Sequence, residues 1–429
     1  MYAATAPQER HHVVVIGSGF GGLAATRGLA GADVEVTVID RDNYHGFWPL
    51  LYQVATAGLG PDDIASALRG IIGQQPNVRV RLGTVSRVDL DGRVVHVDED
   101  ARSDDGADHA VPYDSLVVAA GSSTTDFGIS GVADHAFPLK TLPDAMRLRN
   151  HVLATFEHAD ADPDIVDEGA LTMVVVGGGS TGVEMAGALS ELIAANLKRD
   201  FPDLDTHRSS VVLVEMTDHL LEGFSARSQR TALDVLRAKG VEVRFGTTVD
   251  EVGDGWVRFE DGSRISTKTL VWTAGIRANP LADSFPGEKG KGGSLVVGPD
   301  LSLPGHPEVF VIGDLASAKD RRGNPLPQLA QVAIQGGHHA ARSIERRLAG
   351  RIPAPFRYRN HGTMATIGRK DAVAELPGGL KLSGTLGWLA WLGVHLVFLV
   401  GSRNRLVVMT NWAWNYLTWD RANRVIIED

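Results

Sequence analysis

The first ordered signal along the chain is an apolar, mostly β-branched run, His12-Val13-Val14-Val15-Ile16, which stops at Gly17-Ser18-Gly19-Phe20-Gly21-Gly22 and continues into an Ala-rich stretch from Leu23 to Ala32. Apolar residues without alternation predict a strand buried on both faces, and the glycines predict a tight turn into a helix. A second strand, Val34-Glu35-Val36-Thr37-Val38-Ile39, closes on Asp40 eighteen residues past Gly22, as a βαβ unit requires. The pattern returns 160 residues later: Leu171 to Val176, Gly177-Gly178-Gly179-Ser180-Thr181-Gly182, a helical stretch to about Lys198, and Val211-Val212-Leu213-Val214 ending at Glu215. That period is far too long for a solenoid and predicts two similar domains.

Two more apolar strands end in small residues, Leu116-Val117-Val118-Ala119-Ala120-Gly121 and Leu270-Val271-Trp272-Thr273-Ala274-Gly275, each roughly 100 residues after a glycine motif. Val309-Phe310-Val311-Ile312 then leads into Gly313-Asp314 and a helical stretch from Leu329 to Leu348, which predicts a return to the first domain. The acidic stretch Asp98 to His109 reads as a surface loop, and Glu157 to Gly169 as a solvated loop at the entry to the second domain. From Leu382 to Ser402 no Asp, Glu, Lys or Arg occurs, and five of the eight tryptophans follow in the tail, at Trp388, Trp391, Trp412, Trp414 and Trp419.

Composition narrows the class. A chain of 429 residues exceeds what one core supports, while 43% apolar and 22% charged residues describe folded, globular domains. The formal net charge of -10 has the wrong sign for nucleic acid. Cysteine is absent, which removes disulfides, thiolate zinc sites, iron-sulfur clusters and dithiol chemistry. The 15 histidines lack the carboxylates and spacing of a metal site, so none is expected. Met1 to His12 has no apolar core behind a basic start, so a signal peptide is not supported and the chain is expected to begin in the cytoplasm.

Gly17, Gly19 and Gly22 match G-x-G-x-x-G between a strand and a helix. A plain Gly-rich turn is the alternative; the strand before, the helix after and Asp40 at the ribose position favour a dinucleotide. Gly177, Gly179 and Gly182 repeat the motif, and Glu215 at the end of the next strand favours a free ribose 2′-hydroxyl, hence NADH over NADPH. Glu184, placed in the first turn of the second nucleotide helix, is either a dipole-compensating cap or a group beside the nicotinamide. Gly313-Asp314 is either a simple turn or a carboxylate near the ribityl chain of an FAD whose ribose meets Asp40. Gln331 and Gln335 share one helical face, which by spacing alone is a solvated polar face.

The stretch from Leu382 to Ser402 is long enough to span a bilayer, but five glycines or alanines and His395 dilute it, and Leu406 to Trp419 carries the aromatic residues of an interface. Between Lys381 and Ile427, Lys381, Arg403, Arg405, Arg421 and Arg424 oppose Asp420 alone, a local charge of +4 that suits anionic lipid. In-plane attachment is therefore favoured over a dimer interface and over a true span.

With these features in place, the chain resembles the type II NADH dehydrogenases, single-subunit NADH:quinone oxidoreductases, nearly end to end. Asn43-Tyr44-His45 with Pro49-Leu50-Leu51-Tyr52-Gln53-Val54-Ala55-Thr56 is similar to the family's segment beside the flavin, and Ala330-Gln331-Val332-Ala333-Ile334-Gln335 to its A-Q-x-A-x-Q quinone motif. Met364-Ala365-Thr366-Ile367-Gly368-Arg369 and Arg403-Asn404-Arg405 followed by Trp412 also look like family segments. Trp48, where Gln is frequent, and Ala67, where Pro is usual, depart from the pattern and bear on the acceptor.

The resemblance implies an α/β fold of two Rossmann-like dinucleotide-binding domains with a C-terminal amphipathic membrane-anchoring region. Residues 1–140 and 285–380 would hold FAD, 145–280 NADH, and 381–429 the anchor. FAD would meet Gly17, Gly19, Phe20, Gly22, Asp40, Arg41, His45, Pro49, Ala120, Gly121, Gly313, Asp314, Ala330 and Gln331. NADH would meet Gly177, Gly179, Thr181, Gly182, Glu184, Glu215, Ala274 and Gly275. Glu184, Gln331 and Gln335 would position nicotinamide and quinone, a membrane menaquinone or ubiquinone, without proton pumping. The enzyme would sit on the cytoplasmic face of the cell membrane, as a monotopic protein with a homodimer as a further use of its apolar surface. A soluble flavoprotein reductase with a protein or oxygen acceptor, and a non-catalytic flavin redox sensor, are the rival readings.

Overall fold

One unit comprises residues up to His45, Ser66–Ser123 and Ile276–Asn360. Its sheet has six strands in the order Ser302–Leu303, His306–Val311, Ser115–Val118, His11–Ile16, Val34–Asp40, Val78–Leu82, all parallel except the first pair. The run from Val13 to Ile16 is unbroken because both faces are covered. Val14 and Ile16 join Val88, Val95, Val97 and Val111 in one core with the antiparallel strands Thr84–Asp89, Val94–Asp98 and His109–Pro112. Helix Phe20–Gly28 packs closely on helix Ala330–Leu348, where a Cβ on Gly337 would overlap the carbonyl oxygen of Gly21. The computed structural model describes residues 10–98, 109–419, 421 and 423–427, so most of the loop expected at 98–109 lies outside the described residues.

The other unit comprises Gly46–Ala65, Thr124–Gly275 and His361–Asp429. Its five-stranded parallel sheet runs Phe137–Pro138, Thr269–Trp272, Thr172–Val176, Ser210–Val214, Val241–Arg244. One face meets the antiparallel strands Val249–Gly253, Trp256–Phe259 and Arg264–Ser266 through a core that includes Val174, Val212, Val257, Phe259 and Trp272. Helix Ser180–Leu192 also receives strand Thr363–Gly368, so tightly that a Cβ on Gly187 would overlap the carbonyl of Ile367.

The division differs from the expected limits. Residues 46–65, 124–140 and 361–380, expected with the first domain, cluster with the second unit, and 276–280, expected with the second, cluster with the first. Residues 157–161 are not loop but the end of helix Leu142–Ala161, whose start carries a capping box between Thr141 and Asp144.

Within the second unit, strands Thr363–Gly368, Asp371–Glu375 and Lys381–Ser383 lead into helices Gly384–Phe398 and Ser402–Thr418. The last helix is fastened to segment 46–65 by polar side chains. Asn404 donates to the carbonyls of Asp62, Asp63 and Ala65 at 3.1–3.2 Å, and the indole N–H of Trp412 to Gln53 Oε1 at 2.8 Å. Among the described residues no helix is long and apolar enough to cross a membrane.

Candidate functional site

The first glycine turn is shaped for a pyrophosphate. Gly17 takes φ +89°, and a Cβ on Gly22 would overlap the Gly17 carbonyl, so both positions demand glycine. A Cβ on Gly19 would meet nothing within 4 Å, which marks the open side of the turn. Gly19 caps helix Phe20–Gly28 with no side chain, leaving its first N–H groups for an anion. Asp40 accepts through Oδ2 from the N–H of Ser18 at 2.5 Å and its hydroxyl at 2.7 Å, and through Oδ1 from Asp42 N–H at 2.9 Å. Those bonds aim the carboxylate at the turn.

His45 holds the turn from the side, with Nδ1 2.8 Å from the Ser18 carbonyl and its ring edge-on to Phe20 at 5.5 Å. Its buried Nε2 has no hydrogen-bond partner among the described residues, and burial lowers its pKa. Arg41 pairs with neighbouring Asp42 at 3.5 Å. Farther along the same unit, Gly121 at φ +71° faces open space, and the carbonyl of Ala120 accepts from Asn279 at 3.2 Å. Ser122 Oγ donates to Asp314 Oδ2 at 2.7 Å, beside Gly313 at φ +69°. Ala330 and Gln331 open a helix whose cap, Leu329, is also without a side-chain bond. An open phosphate turn, a second open glycine and an orphaned imidazole nitrogen are what a bound FAD would fill. Pro49 lies in the turn Trp48–Leu50, which belongs to the second unit.

The second cradle repeats the first. Gly177 has φ +106°, a Cβ on Gly182 would overlap the Gly177 carbonyl, and Gly179 faces open space ahead of Thr181 in the uncapped first turn. Glu215 accepts from Gly178 N–H at 2.6 Å and Thr217 N–H at 2.8 Å, as Asp40 does from Ser18 and Asp42. Thr273 Oγ1 donates to the Val176 carbonyl at 2.7 Å and brings Ala274 and Gly275, at φ +72°, to the same edge of the sheet.

Glu184 is not in the first turn, as expected for a cap, but is the fifth residue of its helix. Its Oε1 accepts from the backbone N–H of Thr366 at 3.2 Å. Burial pushes its pKa up to about 8, against the opposing pull of that hydrogen bond, so the carboxyl is mostly protonated at neutral pH. Sequence reasoning missed that Trp391 and Tyr52 lie near this carboxyl, and the cluster they belong to. Tyr52, Trp391, His395 and Trp412 form an aromatic cluster, with Trp391 stacked on His395 at 4.0 Å and 5.8 Å from Trp412. Tyr52, Gln53, Thr366, Arg369, Trp412 and Trp419 line part of a cavity of about 60 Å³, with Arg369 stacked on Trp419 at 4.0 Å. The concentration of Trp in the tail was the available signal.

Gln335 is not simply a solvated side chain either. Its amide is tied to the backbone of Arg359 in both directions. In the tail, the positive charges counted in the sequence are partly spent inside the protein, which corrects the expectation of a freely basic surface. Arg421 is enclosed, donates to the Thr56 and Ala188 carbonyls and faces Glu191; Arg424 pairs with Asp200 at 2.7 Å; Arg405 donates to the carbonyls of Val397 and Leu399. Beside exposed Lys381, Arg403 and Arg405, the tail presents apolar side chains: Leu386, Leu389, Val397, Phe398, Leu406, Trp414 and Leu417 are each at least half exposed. No cluster of three or more metal-ligating side chains occurs among the described residues.

Residues 11–337 match the family model of the pyridine nucleotide-disulphide oxidoreductases, and residues 360–419 that of the NDH2 C-terminal domain. The type II NADH:quinone oxidoreductase Ndh of Mycobacterium tuberculosis is 38% identical over 98% of this chain and 91% of its own length. That of Staphylococcus haemolyticus is 30% identical over 86% of this chain and 91% of its own. The structure of NDH2 from Plasmodium falciparum in complex with NADH superposes with a TM-score of 0.88 at 18% identity, covering 98% of this chain and all of that one, a likeness of fold. The two glycine cradles, the match of residues 360–419 and these relatives together establish that the chain belongs to the type II NADH:quinone oxidoreductase family.

Proposed function

We propose that the chain oxidises NADH and reduces a membrane quinone, with FAD held on the turn at Gly17–Gly22 and NADH on the turn at Gly177–Gly182. The observation that carries this is the duplicated open cradle in a chain without cysteine: two dinucleotides have places, and the dithiol route taken by related folds does not. FAD, once bound there, would supply the redox chemistry, hydride uptake from a nicotinamide and two-electron delivery to an acceptor. The protein supplies orientation. Asp40 and Glu215 receive the ribose hydroxyls of the two cofactors, and the uncapped helix N-termini receive their pyrophosphates. Asp314, held by Ser122, meets the ribityl chain, with Gly121 and Gly313 giving the backbone room.

Glu184, neutral at pH 7, keeps a proton on its carboxyl and offers a hydrogen-bond donor near the nicotinamide. Gln331 works on the acceptor side. The exposed apolar faces of the last two helices favour docking on the cytoplasmic membrane face, where the quinone resides, over pairing of two copies. Arg403 and Lys381 remain exposed for lipid phosphates.

An anaerobic titration of the purified yellow protein tests this reading. NADH should bleach the flavin spectrum and one equivalent of short-chain quinone should restore it. Bleaching that only a protein acceptor or oxygen reverses favours a soluble reductase; bleaching that no acceptor reverses favours a sensor.

A further inference from the structure

The cavity of about 60 Å³ in the second unit has a charged wall as well as an aromatic one: Arg369, Arg421 and Glu191 line it with Tyr416 and Trp419. Glu191 is the one carboxylate among the described lining residues, and it is already engaged. Its Oε1 accepts from Lys239 Nζ at 2.8 Å and from the Arg369 backbone N–H at 2.6 Å, and its Oε2 stands 3.6 Å from Arg421 Nη2. Lys239 and Arg421 thus share this carboxylate, and the Arg369 guanidinium pairs with none among the described residues. Arg369 Nη2 donates to the Tyr416 carbonyl, whereas Nε and Nη1 are buried without a hydrogen-bond partner. Three N–H groups of a permanently charged side chain therefore lie out of water with nothing to receive them, an unfavourable state for any buried polar group.

The aromatic side of the wall is held in a strained conformation. Trp419 follows helix Ser402–Thr418 at φ +62°, the left-handed region where glycine is usual at a helix end. Arg369 stacks on its ring at 4.0 Å, and its carbonyl accepts from Asn196 Nδ2 at 2.7 Å. Asn196 belongs to the π-helical segment Ile193–Leu197, a widened turn of the kind found at functional sites. Glycine would relax the backbone of residue 419, so the indole is what the strain retains. It lines the cavity while 45% exposed, which brings that wall to the surface, and Leu417 and Trp414 nearby on the helix are exposed at 82% and 56%.

We propose that this cavity is a phosphate site, in which Arg369 and Arg421 receive the headgroup of an anionic phospholipid whose chains lie against Leu417 and Trp414. The volume has room for about four waters, hence for the oxygens of one phosphate. A guanidinium keeps its charge on burial and directs separate N–H groups to several oxygens, and the stacked indole fixes its plane. The lipid source rests on the membrane docking proposed above; the phosphate chemistry does not.

Titration calorimetry on the full-length, FAD-loaded protein tests this. The probes are dihexanoyl phosphatidylglycerol below its micellar concentration, dihexanoyl phosphatidylcholine, whose cation opposes the positive wall, and inorganic phosphate. Phosphatidylglycerol should bind once per chain, at least about tenfold more tightly than either other probe. Arg369→Gln removes the charge and should weaken that binding about tenfold or more, and Arg369→Lys, which keeps it, by less. Flavin content and Tm report whether the variants fold. Should Arg369→Gln not fold, Trp419→Gly, which removes the stacking ring together with the strain, must weaken binding instead. The proposal is overturned if the wild type binds none of the probes or if Arg369→Gln binds as the wild type does. It is also overturned if a short-chain quinone displaces the lipid, which would give the cavity to the acceptor. Inorganic phosphate bound as tightly as the lipid would keep the site and overturn its lipid source. Co-sedimentation with anionic vesicles separates the two readings. A wild type that binds phosphatidylglycerol but no vesicles defeats membrane docking alone, and one that binds vesicles but no single lipid defeats the site alone.

Discussion

Glu184 and Thr366 are 182 residues apart in sequence, and the backbone N–H of Thr366 donates to the Glu184 carboxyl at 3.2 Å. The bond ties the nucleotide helix of the second unit to the first strand of the C-terminal region. One hydrogen bond does not offset the loss of water around the carboxylate, which is why the pKa rises to about 8.

Linkage gives that shift a sign. Between its ordinary value near 4.5 and about 8, the folded protein binds a proton at Glu184 that the unfolded chain does not. Stability attributable to this group therefore falls as pH rises through that window. Glu184→Gln, neutral at every pH, should flatten the decline in Tm between pH 5 and pH 8. It should also remove an ionisation near pH 8 from the kcat/KM profile for NADH. A variant whose Tm and rate profiles track those of the wild type would show that Glu184 ionises normally.

The two glycine turns should fail separately. Gly22→Ala forces a methyl into the Gly17 carbonyl and should weaken FAD binding about 100-fold, giving a colourless protein. Gly182→Ala makes the same clash against Gly177 in the second unit and should leave a yellow protein that dithionite reduces and NADH does not. Absorbance spectra of the two purified variants decide this, and loss of flavin from Gly182→Ala would overturn the assignment of the turns.

Glu215 accepts two backbone N–H groups, and on the proposed placement of NADH its negative charge would oppose a 2′-phosphate. Glu215→Gln keeps the shape and removes the repulsion. The ratio of kcat/KM for NADH over NADPH should fall about tenfold. An unchanged ratio would place the discrimination elsewhere.

Leu389 and Leu417 stand exposed at 53% and 82% on the two C-terminal helices. Replacing both by Glu removes about 1.5–3 kcal/mol of apolar transfer per residue, so co-sedimentation with anionic vesicles should drop at least about tenfold. Turnover with ferricyanide should persist. Unchanged sedimentation, together with a dimer that falls apart in the variant, would reassign this surface to a second copy of the chain.

Much of the fold was legible because its signals are local. The runs Val13–Ile16 and Thr172–Val176, their glycine turns, and the acids Asp40 and Glu215 each declare themselves within about 40 residues. What stayed hidden depends on long-range contacts. Glu184 was placed at a helix start by counting from the glycines, and its partner at Thr366 lies beyond any local pattern. Gln335 looked like a polar helix face because a side chain bonded to the backbone of Arg359 has the same periodicity as one bonded to water. Charge counting credited Arg421 and Arg424 to the surface, whereas Glu191 and Asp200 hold them inside. Segment 46–65 follows the first domain in sequence, but Asn404 and Trp412 tie it to the tail.

The most direct test of the whole account is steady-state NADH oxidation by the purified protein with a short-chain quinone, set against oxygen alone and against NADPH. Rapid quinone-dependent turnover that prefers NADH is the predicted result. Flavin that NADH reduces but quinone leaves reduced would contradict it.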